Sequence, residues 1–134
     1  MSSCRRAVSS CYYALFHCLA RECADLLIGG NGAERSDEAW RQVYRSLEHG
    51  PAKDRCKDSG MIKKFPKEIE DFSNTFVAMQ AKRHDADYDP FKRFVKSEVE
   101  LDIVVVEQAI QKFKAAKTKD RRAFCAYVLL KKRS

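Results

Sequence analysis

Five polar residues stand on an otherwise apolar opening segment, and their spacing makes them a single feature. Arg6, Ser10, Tyr13, His17 and Arg21 follow one another at intervals of four, three, four and four. On a helix that spacing lines one side for several turns. Two cations, two hydroxyls and an imidazole along one wall are the groups that bind a phosphate. The plainer reading of the same stripe is a solvated or helix-facing seam.

A second group lies at Lys82-Arg83-His84-Asp85-Ala86-Asp87-Tyr88-Asp89-Pro90. Its alternating acids imitate a calcium loop. Pro90 stands at the sixth position where glycine is needed, and Lys96 at the twelfth where glutamate is needed, so that chemistry fails. Zinc fails as well. His84 has no partner at helical ligand spacing, and His17 and His49 are distant in sequence. Read plainly, Asp89-Pro90 is a turn and helix-start pair, and Asp87 sits where it can meet Arg83 across one helical turn.

Six cysteines are present, but no Cys-x-x-Cys pair occurs. Cys4, Cys11 and Cys18 recur every seven residues, which on a helix points them the same way and too far apart to bond. Buried thiols in a reducing compartment fit better than a disulfide frame.

The elements that must carry these groups are helices. Glycines and prolines are confined to Gly29-Gly30-Asn31-Gly32, Gly50-Pro51, Gly60, Pro66 and Pro90, and the apolar residues between them keep a helical period. A first helix is expected from about Ser3 to Ile28, apolar almost all round and therefore central, ended by the glycine cluster. Ser36 with Asp37 and Glu38 starts a second, on Trp40, Val43, Tyr44 and Leu47, which Gly50-Pro51 stops. A polar connection follows. A third helix opens with Pro66 in its first turn and runs to about His84 on Ile69, Phe72, Phe76 and Met79. Ser97-x-x-Glu100 spells a capping box before Val99, Ile103, Val106, Ile110 and Phe113. Asp120 caps a short last helix carrying Phe124, Tyr127 and Val128 and ending in Lys131-Lys132-Arg133. Phe91–Val95 is ambiguous between turn and element. The expectation is an all-α, up-and-down bundle of four to five helices, with a core over about 3–116 and an extra helix over about 120–132.

At 134 residues the chain is one domain that can bury a core without metal or disulfide help. Its 45% hydrophobic and 34% charged content excludes a disordered tail or a membrane bundle. The formal charge of +7 favours anionic partners such as RNA or nucleotides, without requiring them. Arg5-Arg6 precede the uncharged stretch Ala7–Ala20, but Ser9, Ser10 and His17 interrupt it and charges follow at once, so no cleaved signal is expected. No run approaches the ~20 apolar residues of a spanning helix. The expected location is the cytoplasm, with no membrane partner.

Two stretches carry a resemblance. Arg5-Arg6-Ala7-Val8-Ser9-Ser10-Cys11-Tyr12-Tyr13-Ala14-Leu15-Phe16-His17 is similar to the Ala-Tyr-Tyr-Ala-Met/Leu-Phe-His signature of HEPN-domain proteins. Arg83-x-x-Ala86-Asp87-Tyr88-Asp89 is similar to the Arg-x-x-Ala-Asp-Tyr-Asp element that closes a middle helix in one HEPN branch. Order and spacing agree over roughly Arg5 to Phe113.

The resemblance implies a helical bundle, usually homodimeric, of prokaryotic toxin–antitoxin, defence or nucleotide-related systems, with no metal and no cofactor. It also implies a possible cognate partner such as a nucleotidyltransferase. Many HEPN proteins are ribonucleases whose site pairs an Arg with a His four to six intervening residues later, one set from each protomer. The Arg neutralises the scissile phosphate, and the His moves protons to and from the ribose 2′-hydroxyl and leaving oxygen. Here the three positions at that distance from Arg83 are Tyr88, Asp89 and Pro90. A phenol with a reference pKa near 10 is a poor proton shuttle at neutral pH. His84 points about 100° around the helix from Arg83, and His17 enters from the first helix. The expected function is therefore a non-catalytic RNA- or nucleotide-associated binding or regulatory module. Its groove would be lined by Arg6, Ser10, Tyr13, His17, Arg83, Asp87 and Tyr88. One alternative is a metal-independent ribonuclease toxin using Arg83 with Tyr88 or a relocated His; the other is a purely structural helical dimer.

Overall fold

The computed structural model describes residues 2–131, and among them every regular element is helical. There are seven helices: α1 (Ser3–Leu27), α2 (Asp37–Ser46), α3 (His49–Lys57), α4 (Ser59–Ile62), α5 (Lys67–Tyr88), α6 (Lys96–Ala115) and α7 (Thr118–Leu129). The expected basic end at Lys132 and Arg133 lies outside the described residues.

α1 is the central column and touches α2, α5, α6 and α7. Ser2 starts it by accepting the Arg5 amide at 3.2 Å. At its other end Gly29 takes φ +146°, a conformation that side chains with a Cβ rarely adopt. A Cβ there would also sit 3.2 Å from that of Ala33. Its carbonyl is held by Arg35 Nη1 at 2.8 Å, which turns the chain back toward α2.

The apolar column of α1 supplies Val8, Tyr12, Leu15 and Leu19, all sealed from water. Ile69, Phe72 and Phe76 of α5, Phe113 of α6 and Phe124 of α7 meet them. The rings interlock: Phe72 stacks on Phe113 at 4.4 Å, and Phe124 meets Phe65 and Phe113 edge-on at 5.5 and 5.8 Å.

Several boundaries depart from the sequence expectation. Seven helices stand where four to five were expected, because the polar connection after Leu47 folds into α3 and α4. Gly50-Pro51 does not merely stop α2. Both lie in the first turn of α3, where a missing N–H costs nothing, since first-turn amides have no intrahelical partner. The connection is helical because Ala52, Cys56 and Ile62 bury one side of it. Arg55 then ties it to α7, donating to the Leu130 carbonyl at 3.0 Å while Tyr127 donates back to the Arg55 carbonyl at 2.7 Å.

Pro66 is the cap of α5 rather than its first residue, and α5 continues past His84 to Tyr88. The Ser97-x-x-Glu100 capping box does not form. Val95 is the cap, its carbonyl accepting Val99 N at 3.0 Å, so Ser97 is already inside the helix. Ile103 is partly exposed, and Ala109 takes a core position beside Val106 and Phe113. Asp120 is likewise inside α7, which Lys117 opens; its charge meets the first-turn amides without capping them. Phe91–Val95 forms no helix. α7 is no appendage: Phe124, Cys125 and Val128 are buried against α1 and α3. No helix among the described residues is long and apolar enough to cross a membrane.

Candidate functional site

The two stretches that carry the family resemblance meet where the start of α1 lies against the end of α5. Arg83 Nη2 donates to the Tyr13 hydroxyl at 2.9 Å, and Arg83 Nε lies 2.9 Å from Asp87 Oδ2, one turn along its own helix. The other Asp87 oxygen accepts from Ser9 Oγ at 3.0 Å. The guanidinium carbon is 5.3 Å from the Tyr13 ring centre and 5.7 Å from that of Tyr12. Arg83 is thus positioned by a carboxylate, a phenol and two π-faces, all mostly out of water. The expected ion pair across one helical turn is present.

His49 joins this group, and no spacing in the sequence pointed to it. It opens α3, its Nδ1 is 2.6 Å from the Tyr12 hydroxyl, and its ring stacks on Phe16 at 3.9 Å. Gln80 of α5 donates to its backbone carbonyl at 3.2 Å. Burial pushes the His49 pKa below the usual imidazole value, and the Arg83 and His17 charges push it the same way. His49 is accordingly neutral at pH 7. Burial drives the Tyr12 phenol upward, so it remains a hydrogen-bonding group and not an anion.

His17 lies further along the stripe. Its Nδ1 is 2.8 Å from the Tyr44 hydroxyl, and the two rings are inclined by only 9°. The ring centres are 6.1 Å apart, so the two near-parallel rings form an extended plate. Trp40 stacks behind Tyr44 at 5.2 Å. Next to this plate, α1, α2 and α6 enclose a cleft of about 470 Å³ lined by His17, Arg21, Tyr44 and Lys114. Its two acids are already engaged: Glu22 pairs with Arg121 at 3.0 Å, and Asp25 accepts from Trp40 Nε1 at 2.9 Å.

The remaining expected residues fall outside this connected group. Arg6 and Ser10 are solvent-facing on α1. Tyr88, on the last turn of α5, is 68% exposed, with its ring 4.9 Å from that of His84. Arg5, passed over beside Arg6, is the structural member of the pair. It donates to the Ala86 carbonyl at 2.9 Å and the Lys92 carbonyl at 2.6 Å, and it lies over the Phe94 ring at 5.3 Å. The only signal for it in the sequence was an arginine beginning a helix otherwise short of charge.

The arrangement can bind and orient an anion. Arg83 keeps one terminal nitrogen outside the contacts just described, Arg6 is open to solvent, and a neutral imidazole stands nearby. Compared with protein-family models, curated proteins and solved structures, the chain matches none.

Proposed function

We propose that this chain is a HEPN-like, non-catalytic RNA-associated binding or regulatory module of a prokaryotic toxin–antitoxin or defence-type system, working in the cytoplasm. The observation that supports it best is the contact between the two resembling stretches, with Arg83 on Tyr13 and Ser9 on Asp87. Residues alike in type and order also share one site. A binding role is favoured over cleavage because Asp87 offsets the Arg83 charge and the only phenol at motif distance, Tyr88, is turned to solvent. Arg6, Ser10, Tyr13 and His17 extend the face along α1, and the surplus of positive charge suits a polyanion.

The module is read as a homodimer, with a cognate nucleotidyltransferase-type protein as a further partner. Leu101, Val104 and Val105 of α6 support the dimer: spaced three and four, they form an apolar stripe that is 41–62% exposed. Sedimentation should show a dimer that Leu101→Glu turns into a folded monomer. A wild-type monomer at micromolar concentration would remove this part of the reading.

The test of function is RNA binding beside RNA cleavage, in EDTA, for wild type and Arg83→Ala. Weaker binding in the variant with no cleavage by either protein is the expected result. Unchanged RNA affinity in Arg83→Ala would leave the purely structural dimer. A second reading, the ribonuclease, draws support from His49, whose Nδ1 is 2.6 Å from the hydroxyl of Tyr12, the ring over which Arg83 lies. It requires discrete RNA fragments that disappear with both Arg83→Ala and His49→Gln, and Tyr88→Phe reports whether the phenol takes part.

A further inference from the structure

The segment between α5 and α6 presents an aromatic side chain to solvent on a frame that holds it still. We propose that Tyr88 to Lys96 is a contact surface for single-stranded RNA. Bases would stack on Phe91 and Tyr88, and phosphates would meet Lys92, Arg93 and Lys96. The inference rests on the RNA reading above and specifies which strand state the protein takes and where.

Phe91 is 91% exposed and Tyr88 68%. One exposed apolar residue is ordinary. Here it is combined with a loop fixed in advance: Arg5 holds the Ala86 and Lys92 carbonyls on either side, and Asp89 Oδ1 accepts the Phe91 amide at 2.9 Å. Phe94 turns inward under Arg5 while Phe91 turns out. The ordering entropy of the segment is therefore met before any ligand arrives, which favours affinity.

Charge indicates the occupant. From Tyr88 to Lys96 the chain holds three cations and one acid, Asp89, whose Oδ1 is taken up by the Phe91 amide. Lys92, Arg93 and Lys96 are all exposed, and among the described residues none of them is in an ion pair. An aromatic face with cations around it matches the alternation of base and phosphate in a single strand, whereas a duplex hides its base faces. The loop also begins where the Arg83 face ends, since Asp87, held by Ser9 and Arg83, immediately precedes Tyr88.

The experiment is fluorescence anisotropy with a labelled oligouridylate at low salt, using the full chain, with a duplex RNA in parallel. The wild type should bind the single strand more tightly than the duplex. Phe91→Leu should weaken that binding about 5- to 100-fold, and Phe91→Trp should restore it. Lys92→Gln and Arg93→Gln should each lower the salt slope by about 0.7. If the wild type binds the single strand and Phe91→Leu binds it equally well, the loop inference fails while the RNA reading stands. If the wild type binds no RNA, both fail. Sedimentation with phosphatidylserine vesicles that is lost in Phe91→Leu, without any effect of that change on RNA, would make the loop a membrane contact and overturn the proposal.

Discussion

Arg5 and Asp87 show how two side chains of ordinary type come to hold a site. Arg5 donates to the Ala86 carbonyl, one of those the end of α5 leaves without an intrahelical partner, and to the Lys92 carbonyl in the loop beyond. Removing it leaves part-buried acceptors unmet, so Arg5→Ala should cost ~1–3 kcal/mol in urea unfolding. It should also speed amide exchange across 89–94. Asp87 restrains Arg83 at one-fifth exposure on each side, so removing its charge leaves a part-buried guanidinium short of a partner. Asp87→Asn should therefore cost about 1–3 kcal/mol in stability and, by releasing the guanidinium, raise RNA affinity a few-fold. A fall in affinity would show that Asp87 is needed to aim Arg83 rather than to temper it.

α7 is the element whose role the structure changes most. Its Phe124 is sealed between Phe65, Phe72 and Phe113, so Phe124→Ala opens a cavity in the middle of the ring cluster. The expected loss is about 3–5 kcal/mol in denaturant midpoint analysis, a large share of a small domain's stability. A helix merely added to a complete bundle would lose far less. α3 depends on α7 in turn, since Arg55 donates to the Tyr127 carbonyl and the Tyr127 hydroxyl donates back to the Arg55 carbonyl. Truncation before Thr118 is expected to expose α1 and loosen α3 together, visible as lost near-ultraviolet dichroism.

The whole molecule should be most stable near neutrality and weaken on both sides, for separate reasons. His49 is held below its usual pKa in the folded chain, so on acidification the unfolded state takes up its proton first. Stability from this residue is complete above about pH 6.5 and declines as pH falls below that value. His49→Phe should flatten the acid limb of the urea midpoint between pH 7.5 and 5.5. Burial pushes the thiols of Cys18 and Cys56 up to about 11 and about 12. Unfolded thiols ionise first as pH rises, so stability falls again above about pH 8.5. The same burial makes Cys11, Cys23, Cys56 and Cys125 slow toward thiol reagents in the native state, with all six reacting in denaturant.

Helix type and the central place of α1 are decided by local pattern, which is why they were legible in the residues alone. A 25-residue helix with apolar side chains nearly all round has nowhere to go but the middle. The Arg83–Asp87 pair was legible too, because partners four apart on a helix are neighbours whatever surrounds them. Tertiary packing decided the rest. Ser97 spells a cap, but Val95 and the burial of Val99 start α6 two residues earlier. The stretch after Gly50 reads as polar linker, because Ala52, Cys56 and Ile62 are too sparse to declare a face until α5 and α7 cover them. Since α3 was not foreseen, neither was His49, whose place against Tyr12 and Phe16 is set by contacts between residues more than thirty positions apart. Periodicity reports what a helix can do for itself, and it contains no term for which carbonyl or ring another helix brings to meet it.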